Sequence, residues 1–267
     1  MRGIRDGSWK ATALLTVLAS TTANAQTSAD DGPNTGRDLT RPQHKIEVFQ
    51  NYTTPADGIN SWTTTLRYER PFELENDWKV AYRFEFPFIY SNDGNETGGY
   101  RGSYGDTLMQ AVISNAKITD RLGVGFGIRI IAPTATEPAL GTGKWQMLPT
   151  AGYRYSLPEI SDGSYFQFVA RYRFDFAGDP TRNHLSDVQF APTVNFALPQ
   201  SWYLTLFPST DIRYNFMRRE WFVPFNFEIG KAFSQSLQAG LEIGVPVLQG
   251  DFPVYRFKAE AHVTILF

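Results

Sequence analysis

Residues 255–267 read YRFKAEAHVTILF, and they decide the fold. Taken in twos, Tyr255, Phe257, Ala259, Ala261, Val263, Ile265 and Phe267 share one face. Arg256, Lys258, Glu260, His262, Thr264 and Leu266 share the other. A side-chain period of two is that of a β-strand. One face is apolar and the other largely charged or polar, so this strand separates two media. The sequence stops on an aromatic residue in the apolar register, where a strand of a soluble sandwich would rarely end.

That ending resembles the C-terminal signature of bacterial outer-membrane β-barrels, whose last strand finishes in Phe and is read by the barrel-assembly machinery. The resemblance makes Phe267 the assembly signal and implies an all-β fold. It is a transmembrane antiparallel barrel of about 12 strands, apolar toward lipid and charged toward the lumen, with short periplasmic turns and longer extracellular loops. A soluble lipocalin-like or jelly-roll protein would instead bury its aromatic face inside.

The opposite end agrees. Arg2, Arg5 and Lys10 precede an apolar run from Ala11 to Ala19, and Ala23-Asn24-Ala25 supplies a small-residue cleavage site. These are the three parts of a secretory signal peptide. The run is too short to span a bilayer as a helix. Residues 1–25 therefore read as a cleaved signal peptide, 26–44 as a flexible periplasmic lead-in, and 45–267 as the barrel. Cys is absent, which removes disulfides, thiolate metal sites and a lipoprotein anchor. After cleavage 22 Lys+Arg face 26 Asp+Glu, a net charge of −4 that gives no support to nucleic-acid binding. Aromatic residues make up 15% of the chain, enough to furnish the girdles at both membrane interfaces.

From Lys45 onward the alternation recurs in twelve segments. Trp78, Val80, Tyr82, Phe84, Phe86 and Phe88 oppose Lys79, Arg83 and Glu85. Leu122, Val124, Phe126, Ile128 and Ile130 oppose three glycines and Arg129, the glycines leaving room in the lumen. Phe166, Phe168, Tyr172, Phe174 and Phe176 oppose Gln167, Arg171, Arg173 and Asp175. The fourth segment, Gly105–Ala116, has no clear phase. Connections alternate between long ones, such as Ser91–Ser103, Ala132–Gly143 and Ala177–Ser186, and short ones, such as Lys117–Arg121 and Pro199–Gln200.

The stretch Pro133–Thr150, PTATEPALGTGKWQMLPT, together with Asp38-Leu39-Thr40-Arg41-Pro42, Phe49-Gln50-Asn51-Tyr52 and Trp78–Pro87, resembles the outer-membrane barrels grouped as the "MetA-pathway of phenol degradation" family. The resemblance implies a passive transporter for small hydrophobic or aromatic compounds.

Parity sends Arg83, Glu85, Arg129, Arg154, Arg171, Arg173, Asp211, Arg213, Glu228, Glu242, Arg256, Lys258 and Glu260 into the lumen. They line a conduction path, or they pair across strands and fill a structural or adhesive barrel with a plugged lumen. Pro87, Pro149, Pro192, Pro208 and Pro224 fall inside strand patterns, where each marks a bulge, a kink or an unpaired edge and offers a site for a lateral opening. Asp93, Asn95 and Glu96 lack the spacing of a calcium loop, and the scattered His44, His184 and His262 give no metal site. An outer-membrane lipid hydrolase would need Ser and His on the lipid-facing wall. His262 points inward, and a His184–Asp187 dyad would lack a nucleophile motif. The reading is a non-enzymatic monomer without cofactor, partnered by outer-membrane lipid, the assembly machinery and an unidentified small solute.

Overall fold

Side chains alternate between lipid-facing apolar and inward polar positions around the whole sheet. In a computed structural model describing residues 37–94, 98–250 and 254–267, the chain forms twelve antiparallel strands. They are β1 (Lys45–Thr54), β2 (Ser61–Glu73), β3 (Trp78–Ser91), β4 (Arg101–Tyr104 and Thr107–Asn115), β5 (Leu122–Ala132) and β6 (Lys144–Ser156). The rest are β7 (Tyr165–Gly178), β8 (Ser186–Ala197), β9 (Trp202–Leu206 and Ile212–Asn215), β10 (Glu220–Ala232), β11 (Leu237–Gln249) and β12 (Phe257–Leu266). Each pairs with its sequence neighbours, and β1 pairs with β12 from Lys45↔Leu266 to Thr54↔Phe257, closing the barrel. Closure leaves no free edge, the condition for a sheet to span lipid. The signal-peptide region and residues 26–36 lie outside the described residues.

Phe84, Phe86, Phe88, Phe126, Tyr153, Tyr172, Phe227 and Ile265 are exposed on the outer surface, Phe86 to 52%. Glu47, Gln110, Gln189, Asn226, Glu228 and Glu242 are buried inside. That inversion of a soluble protein suits a molecule with lipid outside and ion pairs within.

Two strands are broken, both at proline. The gap in β4 holds Gly105 and Asp106 opposite Pro87, and Gly105 donates its N–H to the Pro87 carbonyl at 2.9 Å. An extra residue there shifts the side-chain phase, which is why no single alternation describes the fourth segment. The gap in β9 runs from Phe207 to Asp211, and Pro208 lies within it. Across it β8 and β10 present Pro192 and Pro224, each without its β9 partner. Pro224 sits at a register shift opposite Pro246, so neither residue of that pair can donate. In β6 the pairing with β7 skips Leu148 and Pro149. β11 continues through Pro246 to Gln249, further than its alternation suggested.

The final strand needs one correction. Phe257–Leu266 follows the expected phase, but Tyr255 and Arg256 precede the strand. Tyr255 turns inward, 2% exposed, with its hydroxyl 3.2 Å from Asp211 Oδ2 and its ring against Phe222. Arg256 instead reaches Asp57 at the long-loop rim, both side chains well exposed, so it does not line the lumen. Alternation holds only while a residue is paired; one step past the last pair it decides nothing.

Candidate functional site

The lumen is built by side chains of alternate residues, so its chemistry is set strand by strand. At the end with the short turns, the segment from Arg37 to Thr40 lies inside the barrel. The lead-in is thus held within the barrel from Arg37 onward, not free in the periplasm. Arg37 is 2.7 Å from Glu228, 3.1 Å from Glu260 and 3.4 Å from Glu242. Asp38 accepts from the Thr40 N–H at 2.8 Å and from its hydroxyl at 2.7 Å, and lies 2.9 Å from Arg154 Nε. Leu39 donates its N–H to Gln167 Oε1 at 2.8 Å.

The room left by the inward glycines is what Leu39 occupies. A Cβ on Gly125 would stand 3.0 Å from Leu39 Cγ, and one on Gly152 would stand 3.0 Å from its Cδ2. β5 and β6 therefore carry glycine where the strap passes closest.

Above the strap is a cavity of about 450 Å³. Arg83, Glu85, Arg129, Arg171, Arg173, Asp211, Arg213, Lys258 and Glu260 all face it. Glu228 and Glu242 lie behind, fully buried around Arg37, and Arg154 sits at the strap's Asp38. Most of the charges are paired. Arg67 bridges Glu85 at 2.8 Å and Glu47 at 3.1 Å while stacking 4.2 Å from the Phe49 ring centroid. Arg83 donates to Glu69 at 2.6 Å, and Arg173 to Asp187 at 2.6 Å. Lys258 reaches Glu242 at 2.8 Å and Asp211 at 3.1 Å.

The break in β9 turns its chain into this space. Ser209 donates to Glu242 at 3.0 Å and receives from Lys258 at 3.2 Å, while Thr210 accepts from Arg171. The wall behind is closed by Phe207, whose N–H donates to the Asn226 carbonyl at 2.8 Å and whose ring meets Phe225 edge-on at 5.7 Å.

At the long-loop end, a second cavity of about 470 Å³ is roofed by Ala139, Leu140, Gly141 and Thr142. The roof is tied down by Asp106, which accepts from the N–H groups of Ala135 and Thr142 and from the Thr142 hydroxyl, the last at 2.6 Å. The L-G-T-G-K-W run thus has a local physical account. Thr142 caps the loop onto Asp106, Gly143 turns with φ +68°, and Lys144 lies 3.5 Å from Asp175 as Trp145 returns to the lipid face.

Sequence reasoning missed Arg37, Asp38, Ser209 and Thr210. The first two lie in a stretch without alternation, and the last two fall within Trp202–Tyr214, which as sequence reads as one continuous strand, the ninth segment. The only signal for Asp38 was its place in the D-L-T-R-P resemblance. The His184–Asp187 dyad does not form: His184 Nδ1 lies 3.0 Å from Asp175, and Asp187 is taken by Arg173. Asn95 and Glu96 lie outside the described residues.

With this geometry in place, comparison with known proteins gives the fold. No protein-family model matches the chain, and no curated protein matches it in sequence. Among solved structures it is similar to the COG4313 outer membrane channel from Pseudomonas putida F1, with TM-score 0.68 and 15% identity over 88% of this chain and 99% of that one. It is also similar to the KdgM porin, with TM-score 0.50 and 10% identity over 84% of this chain and 99% of that one. KdgM solved with disordered oligogalacturonate gives TM-score 0.51 at the same identity and coverage. The chain has the outer-membrane β-barrel fold.

Proposed function

We propose that the mature chain resides in the outer membrane as a monomer and passes small solutes, hydrophobic or aromatic compounds being the class. The observation that carries this reading is the 450 Å³ space held open above the strap inside a closed barrel. A purely structural barrel would gain by filling that space, because packing and ion pairing would both improve. Fold likeness to proteins described as a channel and a porin supports the same reading. The resemblance of Pro133–Thr150 to the phenol-degradation family supports the aromatic preference.

A lateral route is favoured by the break in β9. Pro192, Pro208 and Pro224 converge there, and the wall rests on a few hydrogen bonds and the Phe207–Phe225 contact instead of a full ladder. The test is conductance of refolded protein in planar bilayers beside liposome uptake of an aromatic solute. Conductance with uptake supports an axial path. Uptake without conductance supports the lateral one. Silence in both leaves a plugged structural barrel and ends the transporter reading.

A further inference from the structure

One wall of the central cavity is not explained by ion pairing. Arg129 on β5 donates to Gln110 Oε1, and Arg171 on β7 donates to Thr210 Oγ1, both neutral acceptors. Neither lies within ion-pair distance of a carboxylate among the described residues. Glu85, which lines the same cavity, is already 2.8 Å from Arg67 and 4.0 Å from Arg83. Arg129 and Arg171 both face the central cavity, so two positive charges meet there. The Arg171 Nε is buried with no hydrogen-bond partner.

Two half-buried guanidiniums that face one cavity without a counter-ion among the described residues are costly unless an anion joins them. What surrounds them is not simply polar. β6 places Leu148 opposite Arg129 and Thr150 opposite Arg171. Val169 follows two residues before Arg171 on the same face and pairs with Ala191 of β8. Leu148, Val169 and Ala191 all line the cavity and are buried, forming an apolar patch beside the two arginines.

We infer that this wall is a binding site for a small organic carboxylate with an apolar body, of the aromatic monocarboxylate class. The inference rests on the reading of the barrel as a solute path and names the chemistry of the solute. Arg129 and Arg171 take the carboxylate, since planar guanidinium forks match its two oxygens and desolvated pairs of this kind are strong. Leu148, Val169 and Ala191 take the ring. A volume of about 450 Å³ is in the range of small-molecule sites. An inorganic anion would satisfy the charges and leave the apolar patch unused.

The experiment is calorimetric titration of the refolded mature protein in a nonionic detergent, with benzoate, benzyl alcohol, benzylammonium and inorganic phosphate as separate probes. Benzoate is expected to bind at least about tenfold more tightly than each of the others. R129Q/R171Q is expected to remove that preference, R129K/R171K to restore part of it, and L148N to weaken benzoate while leaving phosphate unchanged. Heat-dependent gel mobility and circular dichroism confirm that each variant is folded, and the Lys pair answers for the Gln pair if the latter fails. Equal binding of benzoate and benzyl alcohol, or wild-type benzoate binding by R129Q/R171Q, overturns the site. Phosphate binding as tightly as benzoate overturns its organic part. Bilayer conductance of the same preparation separates the two readings. A conducting barrel without benzoate preference loses the site and keeps the path, whereas benzoate preference in a silent, non-importing barrel keeps the site and loses the path.

Discussion

The two sides of the lumen solve the problem of buried charge in opposite ways. On β10–β12, Glu228, Glu242 and Glu260 crowd together, and two cations answer them: Lys258 from the wall and Arg37 from the strap. On β5–β7, Arg129 and Arg171 face one cavity, and among the described residues no acid answers them. The acidic side is complete in the free protein, and the basic side is completed only by something from outside. A barrel wall fully paired within itself is structure. A wall left one partner short is available for a ligand.

The comparison is broken most directly at Lys258. Lys258→Met leaves Asp211 and Glu242 buried with one cation fewer, and removing one partner of such a group costs about 3–5 kcal/mol. A lowered urea midpoint of the refolded barrel is the expected result, and an unchanged midpoint would mean that water enters this side freely. Arg37→Ala comes next, because the three carboxylates then repel and the strap loses its anchor. Its expected signature is rapid proteolysis between Arg37 and Lys45, with higher conductance and a urea midpoint lowered by less than in Lys258→Met.

A purely steric version sharpens that result. Gly125→Val places a side chain against Leu39, which supplies the three atoms nearest to the new Cβ, so it presses on the strap without removing a charge. If conductance rises in Gly125→Val as in Arg37→Ala, occupancy by the strap controls the path. If it rises only in Arg37→Ala, the exposed carboxylates control it. On the basic side, R129Q/R171Q is expected to leave the unfolding free energy read from urea titration unchanged or to raise it by up to about 1 kcal/mol, since it removes unanswered charge, while shifting ion selectivity toward cations. The smallest effect belongs to Arg256→Ala at the rim, where an exposed pair contributes little and neither midpoint nor selectivity should move.

Most of the wall was legible because period-two alternation is local. Phe84, Phe86 and Phe88 face out, and Arg83 and Glu85 face in, whatever the rest of the chain does. Pro208 and Pro224 were legible as irregularities for a local reason, since a residue without an N–H cannot donate to the ladder. Pro208 could not say which way the chain would turn, because the inward course of Ser209 and Thr210 is fixed by Glu242, Lys258 and Arg171 on other strands. Tyr255 and Arg256 show the limit of alternation, which was extended two residues past the end of pairing.

The sequence by itself determined that the chain forms a closed antiparallel sheet with an apolar exterior and a charged interior, since each strand carries that division in its own residues. Only the tertiary structure decided which charges meet. Arg37 and Glu228 are 191 residues apart, and their pairing depends on barrel closure and strand stagger, which no single strand encodes. Among the described residues the same closure gave Arg67, Arg83, Arg154, Arg173, Arg213 and Lys258 an acid within reach and left Arg129 and Arg171 on the neutral partners Gln110 and Thr210.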